Sequence, residues 1–435
     1  MTTHVRTNVR VVMMAAVILA VGFATHVAVA LPFPKYVADR LVSSQLPNGS
    51  WLGEQDYTGS ILPGLTNAYK VTGNLSYKAT AEDAGTYILN SAGGNFYGDE
   101  AFALTELSRI SADPGSNPWR TAVGQFYKAV KTAPGGTSSY INSFASIDPS
   151  TAVFYLAHHT AAAYYVNATD RNLWREKTID FLGTVNDGSY FPVLALGAAV
   201  WGLGSTGPLE GRLIDPAALP GSDWYNKYLQ DLPGMVLGQQ VDDGEPYANS
   251  FYSCFDHTDS GGYTEDTAFG ILGLIAATRA VPGLNLDWAI RTALETLFDS
   301  IDSNPLSASY GRVYEHMGPS GATYATYAGE LLRALQPHPG DTNGDNDVDL
   351  VDLGNLAAHY NMTEGAIWAN GDFDGDGDVD LVDLGTLAGN YGYGVPAPLN
   401  FVADAASYDL VPEPTTLLCL LAAGVFGLLP RRRRA

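Results

Sequence analysis

Two stretches, DTNGDNDVDLVD at 341–352 and DFDGDGDVDLVD at 372–383, concentrate carboxylates at a spacing that suits a hard cation. Oxygen-bearing side chains fall at positions 1, 3, 5, 9 and 12 of each: Asp341, Asn343, Asp345, Asp349 and Asp352, then Asp372, Asp374, Asp376, Asp380 and Asp383. The seventh residue, Asp347 or Asp378, offers a backbone carbonyl and the ninth a water-bridged contact, so each loop reaches the roughly six to eight oxygens that Ca²⁺ takes. At the sixth position Gly377 supplies a sharp turn and Asn346 tolerates one. Residues 341–360 and 372–391 agree at 14 of 20 positions with a constant offset of 31, so the pair is an internal duplication. Each loop runs into an amphipathic stretch, LVDLGNLAAHY or LVDLGTLAGNY, that predicts one exiting helix, with Val348 and Val379 turned inward between the loops. Without metal the crowded acids repel one another, and folding of this segment is expected to depend on calcium.

The spacing resembles the EF-hand loop, and the pair as a whole resembles a type I dockerin module over about 341–393. That resemblance implies two Ca²⁺ sites and a cohesin-like protein partner. Dockerins often carry Ser or Thr at loop positions 10 and 11, where this chain has Leu350-Val351 and Leu381-Val382. The family mostly accompanies polysaccharide-degrading enzymes.

A second set of chemical groups lies upstream, in segments rich in both acids and rings. Asp56, Asp99, Asp256, His257, Asp259, Glu265 and Glu315 are the candidate catalytic groups, with Glu54, Glu100 and Asp266 beside them. Glycoside hydrolysis needs two carboxyls facing the bond, about 5 Å apart for retention or roughly 6.5–9.5 Å for inversion. Trp51, Tyr97, Tyr140, Tyr190, Tyr252 and Tyr314 are candidate sugar-stacking rings, since an aromatic face with polar neighbours suits a sugar. CFDHTDSGGYTED at 254–266 is the densest cluster, and His257 or His316 is a candidate acid or base. Acids preceding helices also serve as N-caps, an alternative role for Asp56 and Asp99. His158 and His159 are adjacent on one helix and point different ways, which argues against a shared zinc site. The chain has no HExxH, no GxSxG and no glycine-rich phosphate loop.

The elements that must position these groups alternate in character. Stretches with one polar face occur at 33–45, 75–91, 118–131, 171–185, 223–239 and 286–301. Stretches rich in Ala, Gly and Leu occur at 58–71, 99–111, 150–166, 190–204, 264–279 and 322–335. Six of each predicts a mainly α fold, an (α/α)6 toroid with the small-residue helices inside, followed by the small calcium-binding dockerin-like α module. QLPNGSW, with Gln45, Gly49 and Trp51, resembles the QW motif of squalene cyclases and protein prenyltransferases, with looser echoes in VNDGSYF at 185–191 and QQVDDGEPY at 239–247. That likeness bears on fold alone, because no Asp-rich cyclase signature accompanies it.

The ends and the charge bound the setting. Arg6 and Arg10, an apolar run and AVA at 28–30 predict a signal peptide over 1–30. The toroid is expected over 31–336, the calcium module over 337–393 and a linker over 394–410. The tail at 411–435, with VPEP, an apolar run short of the roughly 20 residues of a spanning helix and Arg431–Arg434, resembles a PEP-CTERM sorting signal with a short transmembrane segment, an ordinary C-terminal membrane anchor being the alternative. The resemblance implies exosortase-type machinery and a destination at the cell surface or in the extracellular matrix. Six of the 23 basic residues stand in these two end segments, leaving 17 against 46 acids, a balance that disfavours nucleic acid and anionic polymers. Cys254 has only Cys419 in the tail as a possible mate, so no disulfide framework is expected. These features point to a secreted or surface-attached glycoside hydrolase acting on a neutral polysaccharide. A surface or matrix binding protein on the same scaffold and a polysaccharide lyase are the alternatives, the lyase disfavoured because uronates call for cations and Arg312 is the one base in its segment.

Overall fold

The computed structural model describes residues 32–113, 115–335, 337–345 and 347–393, with 395, 399, 401, 404 and 405 beyond them; the expected signal peptide and sorting tail lie outside the described residues. The fold is mainly helical, with fifteen α-helices and one two-stranded antiparallel sheet among the described residues. No helix among them is long and apolar enough to cross a membrane.

Six helices are short of polar faces: α2 (Thr58–Thr72), α4 (Gly98–Arg109), α7 (Pro149–Tyr165), α9 (Pro192–Gly204), α11 (Thr264–Ala280) and α13 (Ala325–Ala334). All thirteen residues of α9 are buried. Each of the six packs on the next in chain order, and α13 returns to α2, so they form a closed circuit. Around them lie α1 (Lys35–Ser44), α3 (Leu75–Ala92), α5 (Pro118–Thr132), α8 (Arg171–Leu182), α10 (Leu232–Leu237) and α12 (Asp287–Leu297), each packed on a helix of the circuit.

Small residues bring the inner helices into backbone contact. A methyl group on Gly64 of α2 would overlap the Gly329 carbonyl of α13, and one on Gly98 of α4 would overlap the Tyr155 carbonyl of α7. Glycine inside a helix costs about 0.5–1 kcal/mol relative to alanine. The packing gained by close approach must offset that at every such seam.

Start signals are local. Asn74, Asn117 and Asp148 accept hydrogen bonds from backbone N–H groups in the first turns of α3, α5 and α7, and Pro118 and Pro149 occupy first helical positions. The fifth outer stretch, expected over 223–239, is helical only at 232–237 after a 3₁₀ turn at Leu229–Asp231. Positive φ at Gly221 and Asn226 and Pro233 at the helix start confine it. A short helix, α6 (Gly136–Asn142), occupies a segment expected to be loop. A hairpin, β1 (Tyr314–His316) with β2 (Ser320–Thr323), turns through Gly318 and Gly321 and delays the last inner helix to 325.

One turn recurs between outer and inner helices. Gln45 bridges Trp51, Gln240 bridges Phe251 and Ile301 bridges Val313 as isolated antiparallel pairs. Within each, Gly49 (φ 92°), Asn249 (φ 69°) or Gly311 (φ 78°) precedes the bridge by two residues. The Gln45 carboxamide donates to Gly49 O (3.0 Å) and Thr80 O (2.9 Å), and that of Gln240 to Asn249 O (3.0 Å) and Ala289 O (3.1 Å). The echo at 239–247 therefore extends to Phe251, whereas VNDGSYF makes no such bridge. Trp51, expected to stack on sugar, is 2% exposed and donates its indole N–H to Leu41 O at 3.1 Å. Its ring closes the turn and presents no face to a ligand.

Residues 337–393 carry α14 (Leu350–His359) and α15 (Leu381–Asn390). Val348 pairs with the chain after α15, donating to Tyr393 O, while Val379 pairs with the chain after α14, donating to Met362 O, both at 2.9 Å. Both valines are fully buried in a core with Leu353, Leu356, Leu384 and Leu387.

Replacing Gln45 by Leu strips two carbonyls of their donor, and urea unfolding is expected to show a loss of about 1–3 kcal/mol. An unchanged midpoint would show that the turn closes without the carboxamide.

Candidate functional site

The helix starts are stitched to one another by acids. Glu54, just before α2, accepts from the backbone N–H groups of Ala325 (2.7 Å) and Thr326 (2.8 Å) at the start of α13. Asp148 caps α7 and also accepts from Tyr190 N (3.2 Å), near the start of α9. Asp266, at the start of α11, accepts from the backbone N–H of Leu194 in α9. The inner helices thus begin on a common rim.

Inside that rim lies a group of acids with few cations. Asp99 and Asp266 are nearly fully buried, as is Glu330 in α13. Burial pushes Asp99 up to about 6. Burial, reinforced by Glu265, holds both Asp266 and Glu330 well above the usual carboxylate range. Burial and then Glu315 push Glu265 up to about 7, and it hydrogen-bonds to Glu330.

Arg333 is the buried cation among them. Its guanidinium lies 4.1 Å from the Trp201 ring centre and 4.5 Å from that of Phe102, and Nη1 donates to His158 Nε2 at 2.8 Å. His158 is therefore neutral, its Nδ1–H donating to Phe154 O (2.7 Å). His159 faces the other way, its Nδ1 3.1 Å from the Tyr127 hydroxyl, so the two histidines share no site. Asp99 Oδ1, Asp266 Oδ1, Glu330 Oε2 and Arg333 Nη2 have no hydrogen-bond partner among the described residues.

Beside this group the rim opens into a cleft of about 510 Å³. Asp56 and Glu100 supply its carboxylates, and Tyr87, Phe96, Tyr97, Tyr140 and Phe144 its rings. Tyr97 is 59% exposed and stacks on Tyr155 with ring centres 5.2 Å apart. Glu100 accepts from Tyr97 N at 2.9 Å, a bond back to the cap residue of α4 that fixes its side chain. Burial first, then the charges of Asp99 and Asp56, push Glu100 up to about 7. Neither Asp56 nor Asp99 is an N-cap: Asp56 sits in a 3₁₀ turn, and Tyr97 occupies the cap position of α4.

Of the expected site residues, Asp56, Tyr97 and Tyr140 meet in this cleft, with Asp99 behind it. Glu265 lies within electrostatic reach of Glu315. Tyr314 is at the same end of α11, its carbonyl accepting from Thr264 Oγ1 at 2.6 Å. Of the dense cluster, Glu265 and Asp266 join the buried acids, while Asp256 and Asp259 hold their own loop. Asp259 accepts from the N–H groups of Ser253, Cys254 and Gly261, Asp256 accepts from Thr258 N and Oγ1, and exposed His257 stacks on Tyr252 at 4.1 Å. Tyr190 stands 81% exposed. Sequence reasoning missed Glu330, Arg333 and Tyr155; the signal for the first two was an acid and a base three residues apart in a stretch assigned to the interior.

In the second acidic loop the ligand oxygens of Asp372, Asp374 and Asp376 lie within 4.8 Å of one another, as do those of Asp378, Asp380 and Asp383. Asp372 accepts from Gly375 N (2.7 Å) and Gly377 N (3.1 Å), and Asp383 from Phe373 N (2.8 Å) and Asp380 N (2.9 Å). The first loop repeats the scheme. Asp341 accepts from Asn343 N and Gly344 N, Asp345 from Asp347 N and Asp349 from Val351 N; Asp352 accepts from Thr342 N and Asp349 N. The buried Asp378 Oδ1 has no hydrogen-bond partner among the described residues.

No protein-family model, curated protein or solved structure matches this chain.

Glu100 and Glu265 hold their protons up to about 7, against an ordinary value of 4.5, so the folded form binds them more tightly than the unfolded chain. The associated stability is fully present below pH 4.5 and is lost as pH rises through 7. The melting temperature at constant ionic strength is expected to fall between about pH 5 and 8, and Glu265→Gln to flatten that fall. A variant as pH-sensitive as the parent would show that Glu265 is not among the groups responsible.

Proposed function

We propose that the closed circuit is an (α/α)6 toroid acting on carbohydrate, as a glycoside hydrolase of neutral polysaccharide, with a calcium-binding dockerin-like module at its C-terminal side. The observation that carries this reading is the rim cleft, which combines exposed and half-buried rings with two carboxyls, one of them protonated near neutral pH. No lysine or arginine lines it, which fits an uncharged chain better than a uronate.

In this reading Glu100 is the general acid that protonates the leaving oxygen, and Asp56 is the carboxylate opposite it. The cap bond from Tyr97 N–H holds one Glu100 oxygen, and the other makes no hydrogen bond among the described residues. Tyr97 and Tyr140 stack against the sugar rings. A non-catalytic carbohydrate-binding role is the second reading, favoured by the commitment of Glu100 to its helix cap.

The acidic loops fit a hard divalent cation, because the side chains at their ligand positions offer only oxygen and one buried carboxylate oxygen of the second loop is orphaned. Ca²⁺ would be held by Asp341, Asn343, Asp345, Asp349 and Asp352 and by Asp372, Asp374, Asp376, Asp380 and Asp383, with the backbones of Asp347 and Asp378. A cohesin-like protein would meet exposed Leu350, Val351 and Val382 at the helix starts. The end segments would deliver the chain to the cell surface or matrix through exosortase-type sorting.

The test is release of reducing ends from a panel of neutral polysaccharides. Glu100→Gln keeps an acceptor for Tyr97 N–H yet removes the proton donor, and is expected to lower release by about 10²-fold or more with the melting temperature retained. Asp56→Asn should behave alike. Binding without release across the panel would select the second reading, and absence of both would remove the cleft from consideration.

A further inference from the structure

The acidic loops do not hang free of the helical circuit. Phe33 N–H donates to Gly344 O at 3.0 Å and the Lys35 ammonium donates to Asn343 O at 3.2 Å, so the third and fourth positions of the first loop are bonded to the residues that lead into α1. Gly344 (φ 71°) is seated so that a methyl there would stand 3.2 Å from both Phe33 Cβ and Val71 Cγ1. Between the two loops the turn Trp368–Asn370 packs on α2, with Ala369 opposite Gly73 at the end of that helix. The Trp368 indole N–H donates to Asp341 O at 2.5 Å, which ties this turn to the first position of the loop.

These contacts fall where the circuit closes. Asn67 of α2 donates to Leu332 O and Leu335 O at the end of α13, both at 2.7 Å, and α1 packs against α13 from outside. With ten residues, three of them buried, α1 is too short to be stable alone and needs what surrounds it.

We propose that the first acidic loop is a metal-operated clasp on this seam. Ca²⁺ binding orders the loop, fixes the carbonyls that Phe33 and Lys35 require, and so holds α1 and the end of α2 against α13. The proposal rests on the calcium reading above and extends it from the module to the helical circuit. The coupling is reciprocal: loosening the seam lowers calcium affinity by the same factor that calcium tightens the seam.

Amide hydrogen exchange of the full chain, in Ca²⁺ and in EGTA, tests it. Removal of calcium is expected to speed exchange in α1 and at the ends of α2 and α13 by about 10-fold or more, while α8, packed on α7 and α9, is unmoved. Ala369→Arg leaves every loop ligand in place but crowds the contact with α2. It should still bind calcium by titration calorimetry, with affinity lowered by the coupling factor of about 10, while losing calcium-dependent protection of α1. Lys35→Met, an exposed change that leaves the core intact, should lose part of that protection. Calcium-dependent protection confined to 341–393, or α1 protection that survives Ala369→Arg, overturns the clasp while leaving the calcium reading standing. Absence of calcium-dependent protection in the loops themselves overturns both.

Discussion

Six helices pack on one another in a closed circuit here because their backbones touch. At the seam between α2 and α13 Gly64 and Gly329 leave no room for a β-carbon, and Gly98 does the same between α4 and α7. Close approach removes side-chain bulk from the interior and brings the rim together, so that an acid before one helix can cap the start of another, as Glu54 does for α13. The cleft, the buried acids and the seam all follow from that spacing. Larger residues at these positions would splay the helices and separate the groups that the rim assembles.

The second organising constraint is charge. Asp99, Glu265, Asp266 and Glu330 are gathered with one buried guanidinium, and desolvation makes full ionisation of such a set too costly. Protons are retained instead, and the field of the remaining charges reaches the cleft through Asp99 beside Glu100. Arg333 is held by aromatic faces and a neutral histidine, an environment that keeps a cation without a direct carboxylate salt bridge. The tighter hold of Glu100 on its proton is therefore a product of the interior, not of the cleft lining alone.

The mainly helical character was legible because alanine, glycine and leucine dominate buried helices while their partners keep a polar face. The paired loops were equally visible, because a repeat of carboxylates at fixed spacing survives inspection without any tertiary information. Other features depend on what lies across the fold. Trp51 looks the same in a sequence whether it faces a sugar or, as it does, the Leu41 carbonyl. Asp256 and Asp259 were attractive as acids, yet their oxygens hold their own loop in shape. Glu330 and Arg333 were passed over because a helix taken to be apolar hid two charged residues. The turn at 240–251 was read only as a looser echo ending at 247, because an insertion and a Phe in place of Trp disguise its kinship with the turn at 45–51. Contact between the acidic loops and α1 had no sequence signal, since its donors and acceptors are mostly backbone groups.

Asn67 and Leu332, which meet at the seam, are separated by 265 residues. Four of the six inner junctions can form before the last helix of the circuit is made; the two that involve α13 wait for it, and this one also joins it to the first helix of the circuit. Until then α2 exposes an apolar flank that no earlier segment covers. Such long-range closure slows folding and prolongs exposure to aggregation. The order of synthesis thus makes the nascent chain an open arc, and the protein reaches its final shape only when its two ends meet.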